Sequence, residues 1–208
     1  MHNSKVIASW SVTDRSKQTA HYDAWADKFE RDLYATGYRL PAVIAAVVAR
    51  HLSPDAGEVL DAGCGTGLQA EPLALAGYGP LVGIDLSEGM LAKAHAKGIY
   101  DQLHRTAVDE RIDLADGRFA AAIAAGVLTP GHAPPEALAG LARVVRKGGY
   151  VAATLRDDPE MDPAYIARAE RLESEGVWRL VYATEPFAGM PYGELGHVTH
   201  RVRLYQIL

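Results

Sequence analysis

The chain has 208 residues, of which 49% are hydrophobic and 23% charged, as is typical of one globular domain with a sizeable core. Its net charge of −5 argues against a broad nucleic-acid surface, because phosphate binding requires clustered lysine and arginine. The single cysteine excludes an intramolecular disulfide and suits a reducing cytoplasm. No signal peptide and no run of about 18 apolar residues is present, so we expect a cytoplasmic protein without membrane contact.

An aromatic stripe marks the first predicted helix. Residues 1–12 have weak periodicity, but from Thr13 to Thr36 apolar residues recur at steps of three and four, which indicates an amphipathic helix. The stripe consists of Tyr22, Trp25, Phe29 and Leu33. The simplest interpretation is that it packs on the core of the domain.

A glycine loop follows the first predicted strand. Residues 58–60 read as the end of a buried strand, residues 61–67 as a tight loop, and a helix is predicted from Leu68. The three glycines of the loop let a ligand approach the backbone, and the N–H groups at the start of a helix would face it. The alternative is an ordinary strand-to-helix turn.

Two acidic residues indicate which class of ligand the loop would bind. The loop has the spacing G-x-G-x-G, unlike the G-x-G-x-x-G of dinucleotide sites, and Asp61 places a carboxylate where a pyrophosphate would lie. This arrangement suits a ligand with a positively charged end, such as an α-amino group. A second apolar run ends at Asp85, where an acid accepts hydrogen bonds from ribose hydroxyls in nucleotide-binding folds. Together the two acids describe S-adenosylmethionine better than NAD.

Both motifs resemble those of class I S-adenosylmethionine-dependent methyltransferases. VLDAGCGTG is similar to the first motif of that family and VGIDLSEGMLAKA to the second, in order and at the expected spacing. YDAWADKFERDL, GIYDQL and EGVW extend the resemblance, from about Tyr22 to the C-terminus, to the methyltransferase-like proteins named after the Williams–Beuren syndrome region.

The resemblance implies a single-domain, Rossmann-like α/β fold. Its sheet would have seven mostly parallel strands with a reversed last strand, and helices would cover both faces. An N-terminal helical lid region, residues 1–40, would lie over one globular unit, residues 41–208, that binds the cofactor.

The resemblance also implies which residues hold S-adenosylmethionine and its product S-adenosylhomocysteine. Asp61 would meet the amino group, Asp85 the ribose, and Val108 and Asp109 the adenine. For Cys64 a packing role, and for Asp109 a solvated position, are the alternatives. The implied cofactor-binding set is Tyr22, Trp25, Tyr38, Asp61, Ala62, Gly63, Cys64, Gly65, Gly67, Asp85, Leu86, Met90, Val108, Asp109 and Gly126.

The candidate for proton transfer is His132. It lies in a Pro- and Gly-rich loop after an apolar run, residues 118–127, that reads as a central strand. Ligands of open α/β sheets bind at the carboxyl ends of such strands, and an imidazole is suited to general base catalysis. Tyr22 is the second catalytic candidate. An exposed loop histidine is the alternative.

No metal site is predicted. His197 and His200 are three residues apart, which on a strand would place them on opposite faces.

These features predict methyl transfer from S-adenosylmethionine to a small-molecule acceptor of unspecified identity, by a monomer or homodimer. A non-catalytic S-adenosylmethionine-binding protein and an NAD(P)-dependent oxidoreductase are the alternatives.

Overall fold

The computed structural model describes residues 14–208. The weakly periodic stretch of residues 1–12 and the predicted helix start at Thr13 lie outside the described residues. The helices are α1 (Arg15–Trp25), α2 (Phe29–Tyr34), α3 (Leu40–Ala49), α4 (Glu71–Leu75), α5 (Glu88–Lys97), α6 (Ala137–Val144) and α7 (Ala164–Ser174). The strands are β1 (Val59–Ala62), β2 (Leu81–Asp85), β3 (Gln102–Arg105), β4 (Phe119–Ala124), β5 (Val145–Arg156), β6 (Trp178–Ala183), β7 (Phe187–Ala188) and β8 (Thr199–Ile207).

The strands form one sheet in the order β3-β2-β1-β4-β5-β8-β6. Strands β1 to β5 pair in parallel, whereas β8 is antiparallel to both β5 and β6. The predicted reversed last strand is therefore confirmed. The predicted count of seven holds for the continuous path, and the two-residue strand β7 adds an eighth by pairing with β8.

Alternate residues of the central strands enter two separate cores. In β4, Ala122 and Ala124 pack with α6 and α7, whereas Ala121 and Ile123 pack with α3 on the other face. All six residues of β4 are buried. A strand covered on both faces has a continuous apolar sequence, which explains the uninterrupted run that predicted it.

The N-terminal helical pattern is interrupted. The sequence predicted one helix up to Thr36, but α1 ends at Trp25 and α2 begins at Phe29, with a turn between them. Across the break the rings of Trp25 and Phe29 lie 4.8 Å apart and nearly perpendicular. After α2 the chain turns at Gly37, whose φ of +71° lies in the left-handed region that glycine readily adopts.

The helix after the glycine loop is shorter than predicted. It was expected to begin at Leu68, but residues 65–70 form turns and α4 covers five residues from Glu71. Left-handed φ values at Gly65 and Gly67 keep this stretch out of the helix. By contrast, Ser87 caps α5 as predicted, because its hydroxyl accepts from the N–H of Met90.

Within residues 14–208, no helix is both long and apolar enough to span a membrane.

Candidate active site

A cavity opens at the carboxyl ends of β1, β2, β4 and β5, beneath α1 and α2. Such an edge is where open α/β sheets bind ligands. The cavity is lined by Gln18, Thr19, Tyr22, Trp25, Phe29, Leu33, Tyr38, Leu40, Gly63, Gly65, Gln69, Asp85, Leu86, Ser87, Met90, Thr106, Val108, Ala125, Gly126, Val127, Thr129, His132, Ala133, Arg156, Met190 and His200.

The glycine loop forms part of the cavity wall with bare backbone. Gly63 has φ +73°, and a β-carbon there would stand 2.6 Å from Cγ2 of Val127. Gly126, at the end of β4, has φ +72°, and its β-carbon would stand 3.0 Å from the hydroxyl oxygen of Tyr38. Both positions therefore require glycine for conformation and for space.

Asp85 joins the glycine loop to the start of α5. Its Oδ2 accepts from the N–H of Gly65 at 2.9 Å and its Oδ1 from the N–H of Ser87 at 2.9 Å. Burial raises the pKa of this carboxyl above its usual value, although these backbone hydrogen bonds oppose the shift. Each oxygen keeps a lone pair for another donor.

Asp61 lies behind the loop and is buried at the end of β1. The hydroxyl of Tyr100 donates to its Oδ2 at 2.6 Å, but its buried Oδ1 has no hydrogen-bond partner among residues 14–208. Burial raises the pKa of Asp61 to about 7, and the nearby charge of Asp85 adds to the rise. An unpaired buried carboxylate oxygen is costly and calls for a reason such as a ligand, although the Asp61 side chain is not among those that line the cavity.

The N-terminal helices are attached to the cavity edge by polar contacts. Oδ1 of Asp23 on α1 accepts from the hydroxyl of Ser87 at 2.5 Å and from the N–H of Gly89 at 2.9 Å. On α2, Glu30 accepts from the hydroxyl of Thr66 at 2.6 Å. Both helices are thus held over the glycine loop and the N-terminus of α5.

Aromatic side chains form the roof of the cavity. The rings of Tyr22 and Trp25 stack with their centroids 5.9 Å apart, and Phe29 meets both edge-on. Trp25 is buried and donates to Asp32 through its indole N–H at 2.9 Å. This hydrogen bond fixes the ring and with it the shape of the roof.

Tyr22 and His132 are in direct contact. The Tyr22 hydroxyl lies 2.6 Å from Nε2 of His132, and the Thr129 hydroxyl lies 3.0 Å from Nδ1 of the same ring. Burial lowers the pKa of His132 to about 4, so the imidazole is neutral at physiological pH. With its proton on Nδ1, the ring accepts from Tyr22 through Nε2.

A second polar region of the cavity involves Arg156 and His200, which are partners across β5 and β8. Arg156 donates to both carboxylate oxygens of Asp158, at 2.8 and 2.6 Å. His200 is buried, and within the described part of the chain its Nδ1 has no hydrogen-bond partner.

Comparisons with known proteins agree with this geometry. Residues 60–153 match the methyltransferase domain family. Methyltransferase-like protein 27 of Homo sapiens is 33% identical over 180 residues, which cover 84% of this chain and 73% of that protein. The chain belongs to the S-adenosylmethionine-dependent methyltransferases. The alternative of an NAD(P)-dependent oxidoreductase is therefore rejected.

Solved structures with low sequence identity share the fold of the methyltransferase. A TehB-like S-adenosylmethionine-dependent methyltransferase from Corynebacterium glutamicum is 23% identical, with a TM-score of 0.63 and 91% and 99% of the two chains covered. An S-adenosylmethionine-dependent methyltransferase from Thermotoga maritima is 18% identical, with a TM-score of 0.62 and coverage of 89% and 97%.

The residues present suit S-adenosylmethionine. The glycine loop leaves its backbone accessible, Asp85 retains acceptor capacity at the end of β2, and Asp61 has an unpaired oxygen beside the loop. Leu86, Met90 and Val108 supply apolar wall between α5 and the end of β3. These groups would hold the ribose, the amino group and the adenine of the cofactor in the methyltransferase.

Most of the predicted cofactor-binding residues line one cavity. They are Tyr22, Trp25, Tyr38, Gly63, Gly65, Asp85, Leu86, Met90, Val108 and Gly126. The catalytic candidate His132 lines it as well.

Five predicted residues do not reach the cavity wall. Asp61, Ala62, Cys64 and Gly67 do not line it, and the first three are buried in strand β1 and its extension. Asp109 instead accepts from the N–H of Arg111 at 3.0 Å, and its Oδ2 lies 3.8 Å from Arg15. Burial raises the pKa of the Cys64 thiol well above its usual value, which favours the packing role considered for it.

Several residues of the site were absent from the sequence prediction. Gln18 lies four residues before Tyr22, so its place on the same helix face could have been found from periodicity. Tyr100, Arg156 and His200 enter through long-range pairing, for which the sequence carries no local signal. His197 precedes β8, contrary to the predicted strand position. Among residues 14–208 no three histidine, cysteine or acidic side chains group as a metal site.

Proposed function

We propose that this protein methylates a small molecule held between the N-terminal helices and the carboxyl edge of the sheet, with Tyr22 and His132 receiving the acceptor's proton. The supporting observation is the 2.6 Å contact between the Tyr22 hydroxyl and Nε2 of His132, in the same cavity as Gly63, Gly65 and Asp85.

The bound cofactor supplies a methyl group on a positively charged sulfur, and S-adenosylhomocysteine is the product. In this proposal the protein contributes alignment and a proton acceptor. Aromatic rings on α1 and α2 enclose the reacting groups and exclude water, while the glycine loop and Asp85 fix the cofactor.

In this proposal the proton passes from the acceptor to Tyr22 and then to His132. An acceptor hydroxyl gives its proton to the oxygen of Tyr22 as the proton of Tyr22 moves to Nε2 of His132. Burial lowers the pKa of His132 to about 4, which leaves Nε2 unprotonated and able to accept a proton at pH 7 but makes the ring a weaker base than a solvated imidazole. Thr129 and the backbone carbonyl of Pro130, which hydrogen bonds the ring, hold its orientation.

A small acceptor fits the surroundings better than a macromolecule. The helices that cover the cavity are joined to the glycine loop and to α5 through Glu30 and Asp23. The net charge of −5 gives nucleic acid little attraction. The buried single cysteine supports a reducing, cytoplasmic setting. In this proposal the protein acts as a monomer or homodimer.

The test separates binding from turnover. A panel of small hydroxylated compounds and amines is screened by formation of S-adenosylhomocysteine, and S-adenosylmethionine affinity is measured by calorimetry. Tyr22→Phe removes only the hydroxyl, so turnover of a hydroxyl acceptor should fall by about 10²-fold or more while cofactor affinity is retained. Tyr34→Phe is the matched control, since the Tyr34 side chain is on α2 and exposed.

Turnover that survives both Tyr22→Phe and His132→Gln would contradict the proposed proton path. Cofactor binding without turnover of any compound in the panel would favour the non-catalytic alternative.

A further inference from the structure

Lys97, the last residue of α5, connects three other segments beside the cavity. Its ammonium nitrogen lies 3.0 Å from Oε1 of Glu30 on α2 and 3.2 Å from Oε2 of Glu71 on α4. Its stem lies against the glycine loop, because a β-carbon at Gly67 would stand 3.2 Å from Cδ of Lys97. None of these side chains lines the cavity. Any effect of Lys97 on the cofactor must therefore act through the segments that it holds.

The Glu30 carboxylate also contacts the glycine loop directly. Its Oε1, the oxygen that meets Lys97, accepts from the hydroxyl of Thr66 at 2.6 Å, and Thr66 is only 1% exposed. Hydrogen bonds to a charged acceptor are shorter and stronger than those between neutral groups. In the same loop, Gly65 donates its N–H to Asp85. The position of α2 is therefore coupled to the loop that would hold the cofactor.

The Glu30–Lys97 ion pair is the least exposed of those that join the N-terminal helices to the rest of the described chain. Its side chains are 29% and 18% exposed, whereas those of Asp27 and Lys93 are 83% and 46% exposed. The pair that Arg15 forms is also more exposed, and its atoms are 3.8 Å apart. Exposed ion pairs contribute little to stability. Among these charged contacts, we therefore expect Glu30–Lys97 to contribute most.

Two carboxylates share the single ammonium group of Lys97. Burial would lower the pKa of Lys97, but its hydrogen bonds with Glu30 and Glu71 outweigh this effect and raise the pKa, so the group is charged at neutral pH. Because both glutamates meet the same nitrogen, they repel each other while α2 is in place. Lys97 offsets this repulsion, and its removal would favour movement of α2 away from α4.

The contact depends on charge more than on apolar packing. A small surface pocket between α5 and the turn after α1 is lined by Glu30, Thr66 and Lys97, by a second charged pair and by two alanines. Dissolved ions can enter such a pocket. They screen charges beyond about 8 Å at physiological ionic strength and over shorter distances at high salt.

We propose that Lys97 is a positioning residue that holds α2 on the glycine loop through Glu30, and that this contact slows the release of the cofactor in a way that salt weakens. The inference requires the cofactor to bind in the cavity, but it does not depend on the acceptor or the proton path proposed above.

The rate of S-adenosylhomocysteine release tests the role of the ion pair. Stopped-flow tryptophan fluorescence measures it, since Trp25 lines the cavity. Lys97→Met and Glu30→Gln should each speed release by about fivefold, because both remove the charge pairing, although Glu30→Gln keeps an oxygen for Thr66. Lys97→Arg keeps the charge and should retain most of the slow release. Lys93→Met, on the same helix, is the matched control and should change the rate by less than about twofold.

Glu71 provides a test that a purely structural role of the cluster would fail. Glu71→Gln removes the repelling carboxylate and leaves Lys97 to Glu30, so it should slow release by about twofold, opposite in sign to Glu30→Gln. In the Lys97→Met background, Glu71→Gln should recover part of the lost slow release. General damage to the fold would speed release in both glutamate variants.

Salt dependence completes the experiment. Raising NaCl from about 0.02 M to about 0.5 M should speed release from the wild type by about threefold and should not do so in Lys97→Met. Unchanged release in Lys97→Met and Glu30→Gln, an equal effect of Lys93→Met, or faster release in Glu71→Gln would overturn the inference. A wild-type protein that does not bind S-adenosylhomocysteine would also overturn it. Because no methyl acceptor is present, none of these outcomes depends on the proposed proton path.

Discussion

Asp23 on α1 and Ser87 at the N-cap of α5 are joined by a 2.5 Å hydrogen bond between the carboxylate Oδ1 and the hydroxyl. The same oxygen accepts from the N–H of Gly89, whose missing side chain lets the helices approach: a β-carbon there would stand 3.1 Å from Cα of Asp23. Ser87 follows Asp85 closely in the chain, so this contact attaches the N-terminal helices directly to the cofactor side of the cavity.

Asp23→Ala should therefore speed the release of the cofactor. The variant loses two hydrogen bonds to α5, and we expect the dissociation rate of S-adenosylmethionine to rise by about threefold to tenfold, with a loss of about 1 kcal/mol in unfolding free energy. Stopped-flow fluorescence measures the rate. Asp27→Ala is the control, because the Asp27–Lys93 ion pair is exposed and such pairs contribute little. Equal effects of the two substitutions would contradict the role given to Asp23.

Asp61→Asn should stabilise the folded protein and weaken its binding of the cofactor. Burial raises the pKa of Asp61 to about 7, so the folded protein binds more protons than the unfolded chain between about pH 4 and 7, and stability falls as pH rises through that window. The neutral amide avoids this loss, and we expect a gain of about 1–3 kcal/mol at pH 8 and a smaller gain at pH 6.

The measurement is urea unfolding at both pH values, paired with calorimetry of S-adenosylmethionine. Affinity should fall by about tenfold or more, because the unpaired Oδ1 no longer carries charge for the amino group. A stability gain independent of pH would count against the raised pKa, and unchanged affinity would count against the amino-group contact.

Acid should destabilise the protein through its buried histidines. The pKa of His132 and that of His200 are both lowered from 6.5 to about 4, so the unfolded chain binds more protons between those values and stability falls as pH drops through that window. In His132→Gln the loss of unfolding free energy between pH 7 and pH 5 should shrink by about 1–2 kcal/mol. His95→Gln, at an exposed position on α5, is the control. Identical curves for the two variants would refute the prediction.

Gly63 and Gly98 both have left-handed φ values, +73° and +65°, but only Gly63 has a crowded environment. A β-carbon at Gly63 would stand 2.6 Å from Val127, whereas nothing lies within 4 Å of one at Gly98. Gly98→Ala should cost about 1 kcal/mol of backbone strain, and Gly63→Ala about 1–3 kcal/mol more together with cofactor binding. Thermal unfolding measures the stability of the two variants, and calorimetry measures their affinity for the cofactor. Equal losses in Gly63→Ala and Gly98→Ala would contradict the prediction, because they would show that the crowding at Gly63 is relieved without cost.

Local signals predicted the structural elements around the glycine loop and Asp85. The apolar runs before Asp61 and Asp85, the three loop glycines and the Ser87 cap each depend on residues close in sequence, and the structure has them as expected. The break between α1 and α2 and the late start of α4 were missed, because the packing of Trp25 with Leu68 and Met190, and turn geometry at the loop glycines, override the helical pattern.

The acceptor half was harder to predict. His132 lines the cavity, as its place after a central strand suggested, whereas Arg156 and His200 meet only through the pairing of β5 with β8. Tyr100 meets Asp61 from the segment before β3. Asp109 was assigned to the adenine from the resemblance, yet its hydrogen bond with the backbone of Arg111 holds it off the cavity wall. These contacts depend on packing between segments that are distant in sequence, and no periodic pattern in the sequence indicates them.

The most direct test of the cofactor site is calorimetric titration of the purified protein with S-adenosylmethionine and S-adenosylhomocysteine, beside the Asp85→Ala variant. We predict micromolar binding of both ligands to the wild type and its loss in the folded variant, because Asp85 shapes the glycine loop and offers oxygens to the ribose. Absence of binding to the folded wild-type protein, or full affinity in Asp85→Ala, would contradict the assignment of this cavity to the cofactor.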